Sequence, residues 1–222
     1  MTIADEVWAA RSTSGTVSGT GGSAPSVVVR RVRDDEHRAA AEVLVTAYTH
    51  DFDISDGYRQ SLGDVSRWAS EHEVWVAVPA AETGAGGGAT RVLGVVVTPA
   101  LGGPALSQLA QDGELDFRLL ATHPDARGGG VGETLVRHVI ELARDRGARR
   151  VVLNSGDQMR AAHRLYERLG FARLHERETR LVETKQGPTR LLAFGLDVTA
   201  DTAADADPAA VTTGINTPDG RP

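Results

Sequence analysis

The chain has no cysteine and a single lysine, Lys185, in 222 residues. Without thiols there can be no disulfide framework, thiolate nucleophile or cysteine-built zinc site, and the redox compartment is left open. The seven histidines show no His-Glu-x-x-His or comparable spacing, so no metal is expected. No apolar run approaches the roughly 20 residues of a membrane-spanning helix. The first fifteen residues, MTIADEVWAARSTSG, start acidic and show neither the basic stretch nor the apolar stretch of a secretory signal, so the expectation is a cytoplasmic protein with no membrane partner.

Hydrophobic residues make up 41% and charged residues 24%, the balance of a globular protein, and the length suits one large domain or one domain with tails. Residues 11–26, RSTSGTVSGTGGSAPS, are small, polar and Gly-rich, and the stretch from Thr199 onward is similar, so neither repays the entropy of ordering. The expected organisation is a disordered tail over 1–25, one folded domain over 26–198 and a disordered acidic tail over 199–222. Two acids and one arginine precede residue 26, and four acids and one arginine follow residue 198, leaving −2 of the net −6 in the middle. That near-neutral balance gives no electrostatic case for nucleic acid.

Within 26–198 the pattern predicts a strand from Val27, a helix over 36–48, a weaker helical segment ending near Ser70, and strands over 73–78 and 91–97. The residues from Ala80 to Ala89 form a Gly-rich connection between those two strands. A further strand spans 115–121. Apolar residues at Val131, Leu135, Val136, Val139, Ile140 and Ala143 mark a helix with one buried stripe, ended by Gly147. A short apolar strand at 151–153, a helix over 159–169 stopped by Gly170, and strands from Phe171 and over 191–198 complete the order β-α-α-β-β-β-α-β-α-β-β. This is an α/β fold, a mixed sheet with helices on both faces.

Chemistry concentrates where the strand over 115–121 runs through Thr122-His123-Pro124-Asp125-Ala126 into Arg127-Gly128-Gly129-Gly130-Val131-Gly132-Glu133. Backbone N–H groups of a Gly-rich turn and the positive end of the following helix converge there on one point, an anion site suited to a pyrophosphate, with Arg127 as a neighbouring cation. The P-loop pattern is absent, and the dinucleotide G-x-G-x-x-G pattern fails because Glu133 stands where its last glycine should be. Nucleotide hydrolysis and Rossmann-type binding drop out.

Arg127-Gly128-Gly129-Gly130-Val131-Gly132 resembles the Q/R-x-x-G-x-G/A acyl-CoA signature of the GNAT N-acetyltransferase superfamily. Residues 159–171, MRAAHRLYERLGF, look like that family's second block, A-x-x-L-Y-x-x-x-G-F. The resemblance covers nearly all of 27–198. It implies a GNAT-like acyl-CoA N-acyltransferase fold, its sheet splayed between the fourth and fifth strands, and transfer of an acetyl or other acyl group from acetyl-CoA or another acyl-CoA to a primary amine on a small molecule or peptide. It implies that Leu120, Ala121 and Thr122 present backbone groups to the pantetheine arm and that Gly128 to Glu133 cradle the pyrophosphate. Met159 stands where relatives often carry Asn, and Arg160 is the candidate replacement. A catalytically silent acyl-CoA sensor or assembly module is the alternative, and monomer and homodimer are both open.

Acyl transfer needs a neutral amine, help for a developing oxyanion and a proton for the departing thiolate. Tyr166 sits where the resemblance places the acid. Glu114 and Asp116, two apart on a strand, share a face with Arg118 and are the candidate bases, Asp116 the better match, with an ion pair to Arg118 as the structural alternative. The oxyanion donor is expected to be the backbone N–H of Leu120 or Thr122, with Asn154 and Ser155 as possible help, and His123 and His163 are read as structural. The acceptor site is expected between the first two helices and their loop, at His50, Asp51, Asp53 and Tyr58, with 98–111 nearby; acidic and aromatic groups there would suit a cationic amine.

Overall fold

The computed structural model describes residues 8–10, 26–82, 91–178, 181–184 and 187–198. In chain order its elements are β1 (Trp8–Ala10), β2 (Val27–Arg31), α1 (His37–Asp51), β3 (Phe52–Ile54), α2 (Asp56–Gly63), α3 (Val65–Glu71), β4 (His72–Pro79), β5 (Gly94–Pro99), β6 (Glu114–Asp116), β7 (Arg118–Thr122), α4 (Val131–Asp145), β8 (Arg150–Gly156), α5 (Arg160–Arg168), β9 (Ala172–Arg173), β10 (Leu181–Thr184) and β11 (Gly187–Asp197). Trp8–Ala10 lies in the stretch expected to be a tail, yet it forms a short strand antiparallel to Phe52–Ile54. The rest of 1–25, the Gly-rich connection over 83–90 and the acidic stretch from Thr199 lie outside the described residues.

Strand β2 pairs with β4, β4 with β5 and β5 with β7, all antiparallel. On the other side β6 pairs in parallel with β8, and β8 is antiparallel to β11, which also carries β9 and β10. Because β6 runs directly into β7, the two sheets share one strand. The strand read as continuous over 115–121 is therefore broken near Phe117, and the break has a local cause. Leu119 has φ 54°, a left-handed conformation, and the register against β5 shifts between Val95 and Val97, as in a β-bulge.

Both faces of the sheet are covered, and the pleat sends alternate residues to each. Val74, Val76, Val78, Val95 and Val97 pack on one face against Ala40, Val43, Leu44 and Ala47 of α1 and against Leu62 and Val65. Ala77 and Val96, on the opposite face, meet Val131, Leu135, Val136, Val139, Ile140 and Ala143, the whole stripe read for α4. Gly147 and Gly170 both adopt positive φ after α4 and α5, the conformation their reading as helix stops requires. The weak helical segment before Ser70 is two helices. The Ser55 hydroxyl caps α2 by accepting from Tyr58 N, the Asp64 carboxylate caps α3 by accepting from Arg67 N, and the chain bends at Asp64 between them.

One buried ion pair ties α4 to the sheet. Glu73 on β4 is 3% exposed and receives the guanidinium of Arg146 just past α4, which also donates to Pro99 O at 2.9 Å. Arg31 reaches the other oxygen of Glu73 from β2. Breaking such a pair from one side typically costs about 3–5 kcal/mol, so these contacts fix the helix that opens the site.

Candidate active site

The site begins where a ladder ends. Glu114, Leu115 and Asp116 pair with Arg150, Val151 and Val152, and the last bond between the two strands runs from Phe117 N to Val152 O at 3.4 Å. Past Phe117, β7 follows β5 and β8 follows β11, so the edges of β7 and β8 diverge. Unpaired strand edges offer backbone N–H and C=O groups to a bound molecule. Here the bulge at Leu119 re-aims them.

After β7, Pro124–Ala126 form one short turn, with the His123 side chain accepting from Asp125 N at 3.3 Å. Gly128 and Gly130 follow at φ 78°, with nothing within 4 Å of where a Cβ would sit. Gly130 caps α4, and the first backbone bond of the helix is Thr134 N to Gly130 O at 2.9 Å, so the N–H groups of Val131, Gly132 and Glu133 precede it. A Cβ on Gly132 would sit 3.4 Å from Thr122 Oγ1 and 3.6 Å from Leu165 Cδ2. Helix, strand edge and α5 approach one another at that glycine.

A cleft of about 760 Å³ joins these parts. Leu120, Ala121 and Thr122 form one wall, Arg127, Gly128, Gly130, Val131, Gly132 and Glu133 form its end, and Met159, Arg160, Leu165 and Arg168 close it from α5. Tyr48, Asp51 and Phe52 border it from the end of α1. Both sequence blocks thus face one cavity, and of the expected cradle only Gly129 is missing from its lining. The open left-handed glycines, the free first turn of a fifteen-residue helix and the unpaired strand edge fit the phosphates and amide-bearing arm of an acyl-CoA.

The expected cations divide. Arg127 is held by Asp51 through two bonds of 3.0 and 2.7 Å, whereas Arg160 is exposed at the start of α5. Arg168, which sequence reasoning passed over, lines the cleft and lies 3.5 Å from Glu133. Its signal was its position on α5, eight residues after Arg160. Arg137 and Arg168 hold the Glu133 carboxyl below its usual range, Arg137 foremost through its hydrogen bond.

The candidate bases are corrected. Glu114 and Asp116 do not line the cleft. Asp116 is 1% exposed, and its two oxygens accept from Leu106 N at 3.0 Å and from the Ser107 hydroxyl at 2.8 Å, so it pins the 98–111 segment. Burial pushes its pKa up despite those donors. The Glu114 side chain is ion-paired to Arg177, Arg149 and Arg150. Burial alone would raise its pKa, but the Arg177 hydrogen bond, Gln111 N–H and the nearby arginines hold it low. Neither carboxylate forms the anticipated ion pair with Arg118. Asp116 and Arg118 do share a face, since Arg118 Nη1 donates to Leu106 O at 3.3 Å.

Tyr166 is 4% exposed among Phe117, Phe171 and Phe194, with ring centroids 5.5 to 6.3 Å away. Burial raises its phenol pKa well above 10, and burial likewise raises that of Tyr48, which borders the cleft, with Tyr58 and Tyr166 adding to the shift. The ring is core, and Tyr166 is not among the residues lining the cleft, although its neighbour Leu165 is. His163 lies within 3.1 Å of the Ser155 hydroxyl, with its ring centroid 5.1 Å from that of Phe194, and burial lowers its pKa. Its place is structural, and it occupies the Ser155 hydroxyl.

The acceptor residues fare unevenly. Asp51 borders the cleft but is taken by Arg127. Asp53 and Asn154 do not line it, and Asn154 Nδ2 reaches Leu192 O at 3.5 Å. Tyr58 lies behind Tyr48, edge to face at 5.9 Å, and the two hydroxyls share a hydrogen bond. Among the described residues of the cleft the acids are Asp51 and Glu133, and both are paired with arginines.

Residues 48–171 match the model of the Acetyltransferase (GNAT) family. Over 67 residues the chain is 39% identical to N-acetylaspartate synthetase of Danio rerio, covering 30% of this chain and 24% of that protein. Over 58 residues it is 40% identical to glucosamine 6-phosphate N-acetyltransferase of Trypanosoma brucei brucei, covering 26% of this chain and 37% of that one. The matches thus span 24% and 37% of these relatives' lengths. A Salmonella typhimurium protein solved with its cofactor acetyl-CoA superposes with TM-score 0.53 at 21% identity, over 81% of this chain and 98% of that one.

Proposed function

Since the chain belongs to the GNAT acetyltransferase family, we propose that it is an N-acetyltransferase that moves an acetyl group from acetyl-CoA to a primary amine, using the unit spanning 26–198. The observation that carries this reading is the divergence of β7 from β8 beside a glycine turn that opens α4, all on one cleft. The residues that would hold acetyl-CoA are the backbone edges of Leu120, Ala121 and Thr122, the turn Gly128 to Glu133 with Gly129 completing it, and the cations Arg160, Arg168 and Arg127. Bound there, acetyl-CoA supplies an acyl group already activated as a thioester.

The chain's own part is placement and proton handling. The backbone N–H of Leu120 or Thr122, on the freed edge of β7, is the donor for the oxygen on which charge develops. Tyr166 is the proton donor for the thiolate. Its raised pKa keeps it protonated at neutral pH, the form a donor needs, and makes it a weak acid that acts only on a group within hydrogen-bond reach. No free carboxylate is left for the amine's proton among the described residues of the cleft, because Asp51 and Glu133 are both paired with arginines. We assign that proton to water in the open cleft. The two curated relatives, by their names, act on amine-bearing molecules, which supports an amine acceptor here.

The test is titration calorimetry of acetyl-CoA into the full chain, followed by thiol release with and without added amines. Binding together with amine-dependent release supports the proposal. Binding without release across the amines leaves a silent acyl-CoA-binding module, and a folded chain that does not bind acetyl-CoA removes the cradle altogether.

A further inference from the structure

The exposed arginines of α4 and α5 are arranged differently. On α4, Arg137 and Arg144 each have an acid one turn earlier on the helix, Glu133 at 2.8 Å and Glu141 at 2.6 Å. On α5, Arg160, Arg164 and Arg168 follow one another at four-residue spacing, so each exposed guanidinium has another arginine as its neighbour. Like charges at that spacing destabilise a helix. Among the described residues neither Arg160 nor Arg164 has a carboxylate in ion-pair contact, although Glu167 lies three residues past Arg164. Arg168 reaches Glu133 only at 3.5 Å, and Arg137 already holds that acid through bonds of 3.0 and 2.8 Å.

The row lies where an anion would meet it. Arg160 and Arg168 line the cleft, and Arg164 stands between them along α5, the three Cα positions spanning about 12 Å. Its far end abuts the glycine turn. Arg168 lies beside Glu133, in the first turn of α4, and Leu165 is a side chain that a Cβ on Gly132 would meet. The open N–H groups of the turn suit a pyrophosphate. A row of guanidinium forks next to them is a second, separate place for phosphate oxygens. An acyl-CoA carries such a second group one sugar away from its pyrophosphate, the 3′-phosphate of the ribose, a monoester that is close to doubly charged at neutral pH.

We propose that Arg160, Arg164 and Arg168 bind the ribose 3′-phosphate of the donor, so that this chain selects carriers bearing that phosphate and discriminates against dephospho-CoA. This rests on the reading of the cleft as an acyl-CoA site and on no step of acetyl transfer. A bound phosphate offsets the repulsion along the row, and a carrier lacking it leaves the arginines facing one another. The row takes no part in proton transfer.

The experiment is titration calorimetry of CoA and of dephospho-CoA into the full chain at one ionic strength, with no acceptor present. CoA should bind at least about tenfold tighter, about 1.4 kcal/mol. Arg164→Gln should lower that ratio, and Arg160→Gln with Arg164→Gln should remove most of it, because the loss falls on CoA more than on dephospho-CoA. The ligand-free melting temperature of Arg164→Gln should stay level or rise, since a like-charged neighbour is gone, and this reports that the variant is folded. Arg144→Gln, on α4 and outside the cleft lining, is the control for bulk charge and should leave the ratio as it is. Equal affinity for the two carriers, a ratio that survives in the double variant, or an equal fall in Arg144→Gln overturns the inference. The expected ratio and its loss, found without amine-dependent thiol release, would uphold the inference and remove the transferase reading. A folded chain that binds neither carrier removes the acyl-CoA cleft and the inference with it.

Discussion

The two ends of the cleft are built from different materials. The end formed by Gly128 to Gly132 and the start of α4 is made of backbone, with open N–H groups, two left-handed glycines and a helix terminus. The end bordered by Tyr48, Asp51 and Phe52, with Tyr58 behind Tyr48, is made of side chains drawn from α1, β3 and α2, residues brought together only by folding. Backbone sites demand particular residues at consecutive positions, because only glycine tolerates those dihedrals and leaves room for a ligand. Side-chain sites place no such demand on neighbours in sequence. A cofactor site of the first kind leaves a readable motif, and an acceptor site of the second kind does not.

The hardest way to break the backbone end is Gly132→Asp. Gly132 is the second residue of α4, where an acid favours the helix macrodipole, and the added Cβ would meet Thr122 and Leu165 only at ordinary contact distances. The melting temperature should stay level or rise. A carboxylate placed where a pyrophosphate must sit should weaken acetyl-CoA binding at least a hundredfold, about 2.7 kcal/mol, as read by calorimetry. Near-normal affinity in a folded variant would mean that the phosphates lie elsewhere.

Tyr166→Phe asks whether a buried ring next to the cleft-lining Leu165 has a chemical task. Phenylalanine keeps the packing on Phe117, Phe171 and Phe194, so stability should change little. With acetyl-CoA affinity unchanged, kcat should fall by about a hundredfold if the hydroxyl supplies the proton. Equal turnover would leave Tyr166 as core and nothing more.

The reading of the strand before the bulge shows where sequence stops being enough. The stripe of α4, the stops at Gly147 and Gly170, and the glycine turn were all legible, since each depends on spacing or on a residue's intrinsic dihedral preference. Glu114 and Asp116 were read as paired bases because alternation places them on one face, and Arg118 was read with them. Alternation cannot say what lies across that face. Tertiary packing put Leu106 and Ser107 against one carboxylate and Arg177, Arg149 and Arg150 against the other, and turned the arginine to the carbonyl of Leu106. The strand at Phe52–Ile54 was missed for a similar reason, since three residues carry too little alternation to be told from a loop.

That contrast has an acid-range signature. The Glu114 pKa is depressed in the folded chain, so its stabilisation is complete above its ordinary value of 4.5 and is lost as pH falls through the lower folded value. Glu114→Gln should cost roughly 1–3 kcal/mol at pH 7, and the gap to the parent should narrow on acidification in urea titrations. The Asp116 pKa is raised, so its contribution is fully present below its ordinary 3.8 and is lost as pH rises through the folded value. The parent should therefore gain on Asp116→Asn as pH falls. Two carboxylates two residues apart would move in opposite directions, and parallel behaviour would refute the assignment of their partners.

The smallest expected effect falls on an ion pair that joins the end of α1 to the cofactor turn. Asp51, at the end of α1, holds Arg127 of the cofactor turn through two bonds, with both side chains more than a third exposed. A pair that open to water contributes about 0–1 kcal/mol to stability, so Asp51→Asn should barely move the melting temperature. It should free Arg127 for the phosphates and tighten acetyl-CoA binding a few-fold at low salt, a gain that fades as ionic strength shortens the reach of the charge. Weaker binding in the variant would carry the opposite lesson. The ion pair would then be what holds the turn in its receptive shape, and the acceptor end of the cleft would be helping to build the cofactor end.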